Sequence, residues 1–307
     1  MEIVNFYESL PKEFREEQST YSNFTKLHIK LPAMINVVGA TGSGKTNTVV
    51  NMIRHMGCFT RIYLFAKNLE EPLYAWMIDL FAKVEKKTGV TVLMSGSDLA
   101  QLPAVSDINK EETNLLIIDD MITENKKKLN QVVEYFIRAR KQNCSCIFIS
   151  QAFYRTPGDI RKNTQYVILK KIATGRDLKS ILREYSLGVD DKQLLALYKY
   201  ATAGDPLRNF LMIDIGTNDP NLRFRKNYTG IPVKIEGMDG EEGDKPPPTG
   251  GEDKTDEKEK ETATPHPPHQ TKRSTLSSPL DLATTPVGGV PTKRPRHSSS
   301  RPTRPLH

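Results

Sequence analysis

Short runs of apolar residues alternate along this chain with longer stretches in which apolar and polar residues are mixed. Five of the runs predict buried strands, at residues 33–38, 61–65, 114–118, 145–149 and 166–169. Continuous apolar strands that alternate with helices are typical of a parallel sheet covered on both faces. We therefore predict an α/β fold with a central, mainly parallel, five-stranded sheet between helices.

The stretches between these runs carry apolar residues at helical spacing. They predict helices at about 45–55, 71–87, 126–142, 177–186 and 190–200. Within 126–142, one apolar stripe comprises Leu129, Val132, Val133, Phe136 and Ile137. Two further strands are expected outside the five: an edge strand around Leu27, Ile29 and Leu31, which alternate with polar residues, and a late strand at 210–215.

The character of the sequence changes near residue 231. Aromatic residues stop there, and residues 236–307 are rich in Pro, Gly, Ser, Thr and clustered charge. Such a segment buries too little apolar area to offset its chain entropy. We expect one folded domain at 1–235, followed by a disordered tail at 236–307.

The charge of the chain is unevenly distributed. The net charge is +7, and eleven acidic against four basic residues make 236–261 carry −7. Residues 262–307 carry +6, which leaves +8 on residues 1–235. A folded part with this excess suits a polyanion such as nucleic acid, but a basic protein without such a partner is equally consistent.

Several classes of protein are disfavoured by the remaining composition. The three cysteines, Cys58, Cys144 and Cys146, form neither a disulfide framework nor a zinc-binding pattern. No signal peptide is apparent at the N-terminus, and no run of about 18 apolar residues predicts a membrane span. We expect a protein of a reducing, intracellular setting.

The first predicted strand leads into a glycine-rich segment, GATGSGKT. It fits the pattern G-x-x-x-x-G-K-[ST], and it lies between a strand and a helix, as a P-loop does. Its residues are the candidate nucleotide-binding set Gly39, Ala40, Thr41, Gly42, Ser43, Gly44, Lys45 and Thr46. Glycines let backbone N–H groups surround phosphates, the lysine reaches the β- and γ-phosphates, and the threonine hydroxyl binds magnesium. ATP and Mg²⁺ are therefore the expected ligands of a P-loop NTPase fold.

Polar residues follow two later strands at the edge where the phosphate loop is expected. Asp119 and Asp120 end the strand 114–118 and fit a Walker B motif, in which Asp119 orients magnesium and Asp120 is the general base. Gln151 ends the strand 145–149. It is a candidate for holding the attacking water, and the alternative is a glutamine that only caps a loop.

Three arginines are candidates for action on a phosphate. Arg140 is placed on the apolar stripe of its predicted helix, where an unpaired guanidinium is costly. It is either an arginine finger that acts on a neighbouring subunit or one half of a salt bridge. Arg138 is the weaker candidate. Arg161, which shares a segment with Asn163, either acts in the same way or caps a helix.

The order of these motifs resembles the FtsK–HerA superfamily, and within it the poxvirus-type DNA-packaging ATPases. The resemblance runs from about Phe24 to Phe224 and rests on GATGSGKT, LLIIDDM (115–121), ARKQNCSCIFISQ (139–151) and Pro157 followed by IRKN (160–163). In that family an arginine matches Arg140, a strand-end glutamine matches Gln151, and an R-x-N motif matches Arg161 and Asn163. Lys141 departs from the family, which often has histidine there.

The resemblance implies a RecA/FtsK-like motor that forms a homo-oligomeric ring and uses ATP to translocate double-stranded viral DNA into a preformed capsid, with a capsid or portal vertex as partner. A cellular or plasmid translocase or helicase of the same superfamily, a non-motor P-loop switch and a kinase remain alternatives. The basic cluster at 293–296 indicates either nuclear import in the host or a solvated end that contacts DNA or capsid. The location is then the nucleus or the viral assembly site.

Overall fold

A computed structural model describes residues 21–232. The tail predicted at 236–307, its basic cluster at 293–296 and the domain boundary at 235 lie outside the described residues. Within the described part, no helix has the length and apolar character needed to cross a membrane.

A single mixed sheet is the centre of the fold. Its strands are β1 (Met34–Val38), β2 (Arg61–Ala66), β3 (Leu93–Gly96), β4 (Asn114–Asp119), β5 (Cys144–Ser150), β6 (Tyr166–Leu169), β7 (Leu211–Asp214), β8 (Phe224–Lys226) and β9 (Thr229–Gly230). Their spatial order is β3-β2-β4-β5-β1-β6-β7-β8-β9. The first six of these are parallel, and β7, β8 and β9 extend the sheet antiparallel. The predicted parallel core is confirmed.

Helices cover both faces of the sheet. They are α1 (Phe24–Leu27), α2 (Lys45–Met56), α3 (Pro72–Thr88), α4 (Lys126–Arg138), α5 (Gly158–Asn163), α6 (Gly175–Glu184), α7 (Asp191–Thr202) and α8 (Pro220–Arg223). The helices α2 and α3 pack on one face through residues such as Met52, Met77 and Phe81. The opposite face is covered by α4, α6 and α7. Polar loops at the carboxyl edge of the sheet are therefore held by a buried core on both sides.

The prediction of five strands was too low, since the described residues form nine. The late strand at 210–215 is present as β7, whereas β3, β8 and β9 were not predicted. β3 has only four residues, most of them half-buried, and β8 and β9 carry polar residues. Their short patterns have no clear period, and they form because a neighbouring strand already offers unpaired backbone groups.

Two other predictions were wrong in detail. The alternating residues Leu27, Ile29 and Leu31 are buried, but Leu27 lies in α1, Ile29 lies in the irregular segment after it, and Leu31 forms only an isolated bridge and no edge strand. The predicted helix 126–142 ends as an α-helix at Arg138 and continues as a 3₁₀ turn at 139–142. Ile137, which the predicted stripe included, lies within α4 but is 52% exposed, whereas Val132, Tyr135 and Phe136 form the buried face of the helix.

A buried arginine connects the N-terminal segment to the antiparallel strands. Arg225 is fully buried and forms an ion pair with Asp214. It also donates hydrogen bonds to the carbonyl oxygens of Leu27 at 2.8 Å, His28 at 3.2 Å and Leu222 at 2.7 Å. Because a buried guanidinium must have its donors satisfied, these contacts fix the position of the chain before β1.

Candidate functional site

A cleft of about 550 Å³ opens at the carboxyl edge of the sheet. The pairs Val38–Ser150 and Asp119–Ile149 are opposite each other in the ladder, so that β1, β4 and β5 end at nearly the same level. Ligands of open α/β sheets bind at this edge, and the volume lies in the range of small-molecule sites. The cleft is lined by most of the glycine-rich segment together with Asp119, Asp120 and Gln151.

The glycine-rich segment has the backbone that its sequence predicts. Gly42 and Gly44 have φ values of +72° and +80°, which favour glycine. Gly39 also has no room for a side chain, because a Cβ there would lie 2.6 Å from both Lys170 Cβ and Ser43 Oγ. The helix α2 begins directly after Gly44, and its N-terminus points a positive dipole into the cleft.

The lysine of this segment faces the inside of the loop. The ammonium of Lys45 donates hydrogen bonds to the carbonyl oxygens of Gly39 and Ala40, each at 3.0 Å. Burial lowers the pKa of Lys45, while the charges of Asp119 and Asp120 raise it. An ammonium that rests on two carbonyls beside two carboxylates is well placed to exchange these partners for phosphate oxygens.

A tyrosine holds one of the two residues expected at magnesium. The hydroxyl of Tyr74 donates to Asp119 Oδ2 at 2.7 Å, and Thr46 lines the same cleft. Burial raises the pKa of the Asp119 carboxyl to about 6, although Tyr74 and Lys45 oppose this. Tyr74 comes from the first turn of α3, whose N-cap is Glu71.

A chain of hydrogen bonds connects the glycine-rich segment to the second acid. Thr41 Oγ1 donates to Gln151 Oε1 at 2.6 Å, and Gln151 Nε2 lies 3.5 Å from Asp120 Oδ2. Asp120 has a φ of +55°, which is rare for a residue with a side chain. Its backbone turns sharply away from β4, and its amide donates to the carbonyl oxygen of Ile149. Backbone strain of this kind is found preferentially at functional sites.

The strand that carries Gln151 lies between the other two strands of the site. The Walker B strand was expected beside the phosphate loop, but β4 does not pair with β1, because β5 lies between them. This order places Gln151 between the glycine-rich segment and Asp120. The side chain of Gln151 can therefore contact both the glycine-rich segment and Asp120.

Arg138 and Arg140 lie at the opposite edge of the sheet. Both are exposed, and Arg140 belongs to the turn that leads into the first residue of β5. Since β5 has seven residues, the strand separates Arg140 from Gln151 by roughly 20 Å. Neither arginine takes part in an ion pair between described residues. The own-chain salt bridge considered for Arg140 is not formed in this part of the chain.

Arg161 and Asn163 are held by their own chain. Arg161 Nη1 donates to both carboxylate oxygens of Glu184 at 2.8 Å, and its guanidinium lies 5.1 Å from the ring centroid of Phe153. Asn163 Nδ2 donates to the carbonyl oxygen of Asp159 within α5. Neither residue is among those that line the cleft.

Three residues near the cleft were not identified from the sequence. Tyr74 lies on the buried face of α3. A buried tyrosine hydroxyl needs a hydrogen-bond partner, and a strand-end acid was an available candidate, which is the signal that could have identified Tyr74. Lys170 directly follows β6 and is fully buried, with no hydrogen-bond partner for its ammonium among the described residues. Leu207 lines the cleft from a loop before β7. The contacts of Lys170 and Leu207 arise only in the folded chain.

The residues of the cleft fit ATP and Mg²⁺. Ser43 Oγ is buried without a partner, and a Cβ at Gly42 would meet no atom within 4 Å, so the loop has both a free polar group and space. The Thr46 hydroxyl and the Asp119 carboxylate are the oxygen ligands that magnesium prefers. Residues 21–232 hold no group of three or more His, Cys, Asp or Glu side chains suited to a metal ion. A magnesium ion that relies on water and phosphate for its other ligands needs no such group.

Comparison with known proteins gave one family and several structures. The family model for the poxvirus A32 protein matches residues 21–213. The genome packaging NTPase B204 from Sulfolobus turreted icosahedral virus 2, solved with ATPγS, is 15% identical with a TM-score of 0.45, over 66% of this chain and 100% of that one. The KaiC-like protein PH0186 from Pyrococcus horikoshii OT3 is 16% identical with a TM-score of 0.34, over 50% of this chain and 80% of that one. No curated protein matches the chain.

The family match covers more than half of the 307 residues. It spans the glycine-rich segment, both acids, Gln151 and all three arginine candidates. The resemblance stated from the motifs is confirmed: the chain belongs to the poxvirus A32 family of viral genome-packaging ATPases.

Proposed function

We propose that this packaging ATPase moves double-stranded DNA into a preformed capsid as a ring of identical subunits, with ATP and Mg²⁺ held in the cleft at the carboxyl edge of the sheet. The observation that carries the proposal is the hydrogen-bonded chain Thr41–Gln151–Asp120. It connects the loop that holds phosphates to a carboxylate at the place where a water would attack.

The phosphates are held by backbone N–H groups of the glycine-rich segment after Ala40, the N-terminus of α2 and the ammonium of Lys45. The amides of Gly39 and Ala40 instead donate to the carbonyl oxygens of Ser150 and Lys171. Thr46 and Asp119 are the residues that would hold magnesium, which supplies positive charge beside the phosphates. The hydroxyl of Tyr74 orients the carboxylate of Asp119. Such outer hydrogen bonds strengthen metal ligation.

Asp120 accepts a proton from the attacking water, and the amide of Gln151 orients that water. Because Gln151 also contacts Thr41, a change in the loop when the terminal phosphate leaves reaches Asp120 through a single side chain. This arrangement supports hydrolysis over a kinase reaction, since one carboxylate and one amide suffice to activate water.

The distance between Arg140 and the cleft of its own subunit is the reason for proposing a ring. Arg140 lies at the amino edge of the sheet, too far from its own cleft to act there. A head-to-tail arrangement that brings this edge to the neighbour's cleft gives each site an arginine finger. Arg138, which is also exposed, is the second candidate.

The primary test is ATPase activity with and without double-stranded DNA, together with the measured oligomeric mass. We expect DNA to stimulate the activity, Lys45→Ala to abolish turnover, and Asp120→Asn to retain bound ATP without hydrolysing it. Normal hydrolysis by Asp120→Asn would show that another group is the base. An ATPase that does not respond to DNA favours a switch, and unwinding of a duplex favours a helicase.

The role of Arg140 is tested by mixing two inactive variants. Lys45→Ala lacks its own site, and Arg140→Ala lacks the proposed finger. In a mixed ring, some Arg140→Ala sites face a neighbour that still has its arginine. Partial recovery of activity on mixing supports action between subunits, and no recovery contradicts it.

A packaging ATPase acts where virions are assembled. We further propose that residues 1–235 form the motor and that 236–307 is a separate tail whose basic cluster directs import into the nucleus. The segment 1–235 is expected to hydrolyse ATP alone. A fluorescent protein fused to 236–307 is expected to accumulate in the nucleus, and an even distribution would leave contact with DNA or capsid as the role of the cluster.

A further inference from the structure

The loop of residues 203–209 presents a leucine to the cleft. Leu207 is 51% exposed, although it is a large apolar residue, and its neighbours in the cleft wall include Gly44, Lys45 and Asn47. An exposed leucine on a surface is common, but one placed at the rim of a ligand cleft offers an apolar contact to the ligand.

This loop is fixed to the glycine-rich segment. A Cβ at Gly44 would lie 2.7 Å from Leu207 Cα and 2.9 Å from its carbonyl oxygen, which shows how closely the two backbones approach. Asn47 Nδ2 donates to the same carbonyl oxygen at 2.9 Å. The position of Leu207 is therefore set by the segment that holds the phosphates.

The polar groups of the loop are engaged internally. The amide of Leu207 donates to Asp205 Oδ1 at 2.8 Å, and the amides of Arg208 and Asn209 donate to the Asp205 carbonyl oxygen. Arg208 pairs with the Asp205 carboxylate. Asn47 is also occupied, since its Oδ1 accepts from Asn51. The apolar residue of the loop that lines the cleft and keeps an exposed side chain is Leu207.

The direction of a bound nucleotide follows from the hydrolytic groups. Asp119, Asp120 and Gln151 lie on the β4–β5 side of the glycine-rich segment, and so the terminal phosphate must point there. The nucleoside then leaves on the other side, where β6 and β7 lie and where the loop 203–209 contacts Gly44.

We infer that Leu207 packs against the face of the nucleobase and that this site reads the base by its face and not by its hydrogen-bonding edge. The inference rests on the proposed ATP site and adds its specificity. Purine triphosphates should accordingly bind with similar affinity, since the neighbouring amides already have partners.

The experiment measures binding of ATP, GTP and inorganic tripolyphosphate to the full chain and to Leu207→Ser. We expect Leu207→Ser to raise the Kd for ATP and GTP about fivefold each, as suits the loss of a partial apolar contact, with no change for tripolyphosphate. Leu207→Met should restore binding, because it keeps an apolar side chain. Val90→Ser is the matched control, since Val90 is 56% exposed and lies outside the cleft lining.

The possible results separate the inference from the proposed function. If the wild-type chain binds neither ATP nor tripolyphosphate, the proposed nucleotide site is wrong. If ATP binds and Leu207→Ser binds it equally well, the base contact is wrong. Equal weakening of ATP and tripolyphosphate would show that Leu207 only supports the glycine-rich segment, and a large preference of the wild-type chain for ATP over GTP would refute recognition by the face alone.

Discussion

Replacing Lys170 by methionine should make the protein more stable at neutral pH. Lys170 is fully buried below the glycine-rich segment, and its ammonium has no hydrogen-bond partner among the described residues. It lies 5.7 Å from the ring centroid of Phe210, and Asp205 provides a favourable charge. Methionine has nearly the same length and no charge to bury.

The size of the effect follows from the pKa of the lysine. Burial lowers the pKa of Lys170 from 10.5 to about 8. A pKa difference of this size between the unfolded and folded chain lowers the free energy of unfolding by roughly 3 kcal/mol. Because the pKa of Lys170 is lower in the folded chain than in the unfolded chain, the cost to stability is fully present below pH 8. This cost disappears as the pH rises to the pKa of the lysine in the unfolded chain. The loss of the contact with Phe210 reduces the gain, so that we expect about 1–3 kcal/mol at pH 7.

Denaturant unfolding at pH 7, 8, 9 and 10 measures this difference. Lys171→Met is the matched control, since Lys171 is adjacent and exposed, and it corrects for the titration of other groups. The advantage of Lys170→Met over the control should shrink steadily above pH 8. A variant that is less stable than the wild type at pH 7, or a difference that is the same at every pH, would refute the account of an unpaired buried charge.

The other predictions concern the cleft and the fold around it. Gly44→Ala should abolish nucleotide binding, since the φ of Gly44 is +80° and a Cβ would meet the backbone of the neighbouring loop. Gly89 has a φ of +71°, but a Cβ there would meet no atom within 4 Å, so Gly89→Ala should only reduce stability. Measurements of nucleotide binding and of unfolding distinguish the two variants. Tyr74→Phe should raise the Mg²⁺ concentration for half-maximal ATPase activity about tenfold, because Asp119 loses its orienting hydrogen bond, and an unchanged magnesium titration would count against this. Arg225→Met should lower the free energy of unfolding by about 3–5 kcal/mol, because a buried carboxylate loses its partner, and a loss below 1 kcal/mol would contradict it.

Local sequence predicted the parts of the site that depend on neighbouring residues. The glycine-rich segment needs its own backbone angles and the helix that follows, and Asp119 and Gln151 need only the strands that they end. All of these are determined within about ten residues, which is why the motifs could be located before the structure. Five of the six parallel strands were predictable for the same reason, since each of the five is a largely apolar run, whereas β3 is not.

Other features depend on contacts between distant segments. Leu207 reaches the cleft because its loop packs on Gly44, and nothing near residue 207 in the sequence indicates this. The residues around Ile29 alternate like a strand, but Arg225 occupies carbonyl oxygens that a strand would use for pairing. Arg140 was placed on a helical stripe, and the early end of α4 moved it to an exposed turn.

The central position of β1 has a consequence for the newborn protein. Val38, at the end of β1, pairs with Ser150 on one side and Leu169 on the other, so that the strand leaves the ribosome more than a hundred residues before its partners. The bond from Arg225 to the carbonyl of Leu27 spans 198 positions. Long-range pairing of this kind folds slowly. An unfinished chain therefore carries its phosphate-binding segment without the sheet that shapes it until both neighbouring strands, β5 and β6, have been synthesised.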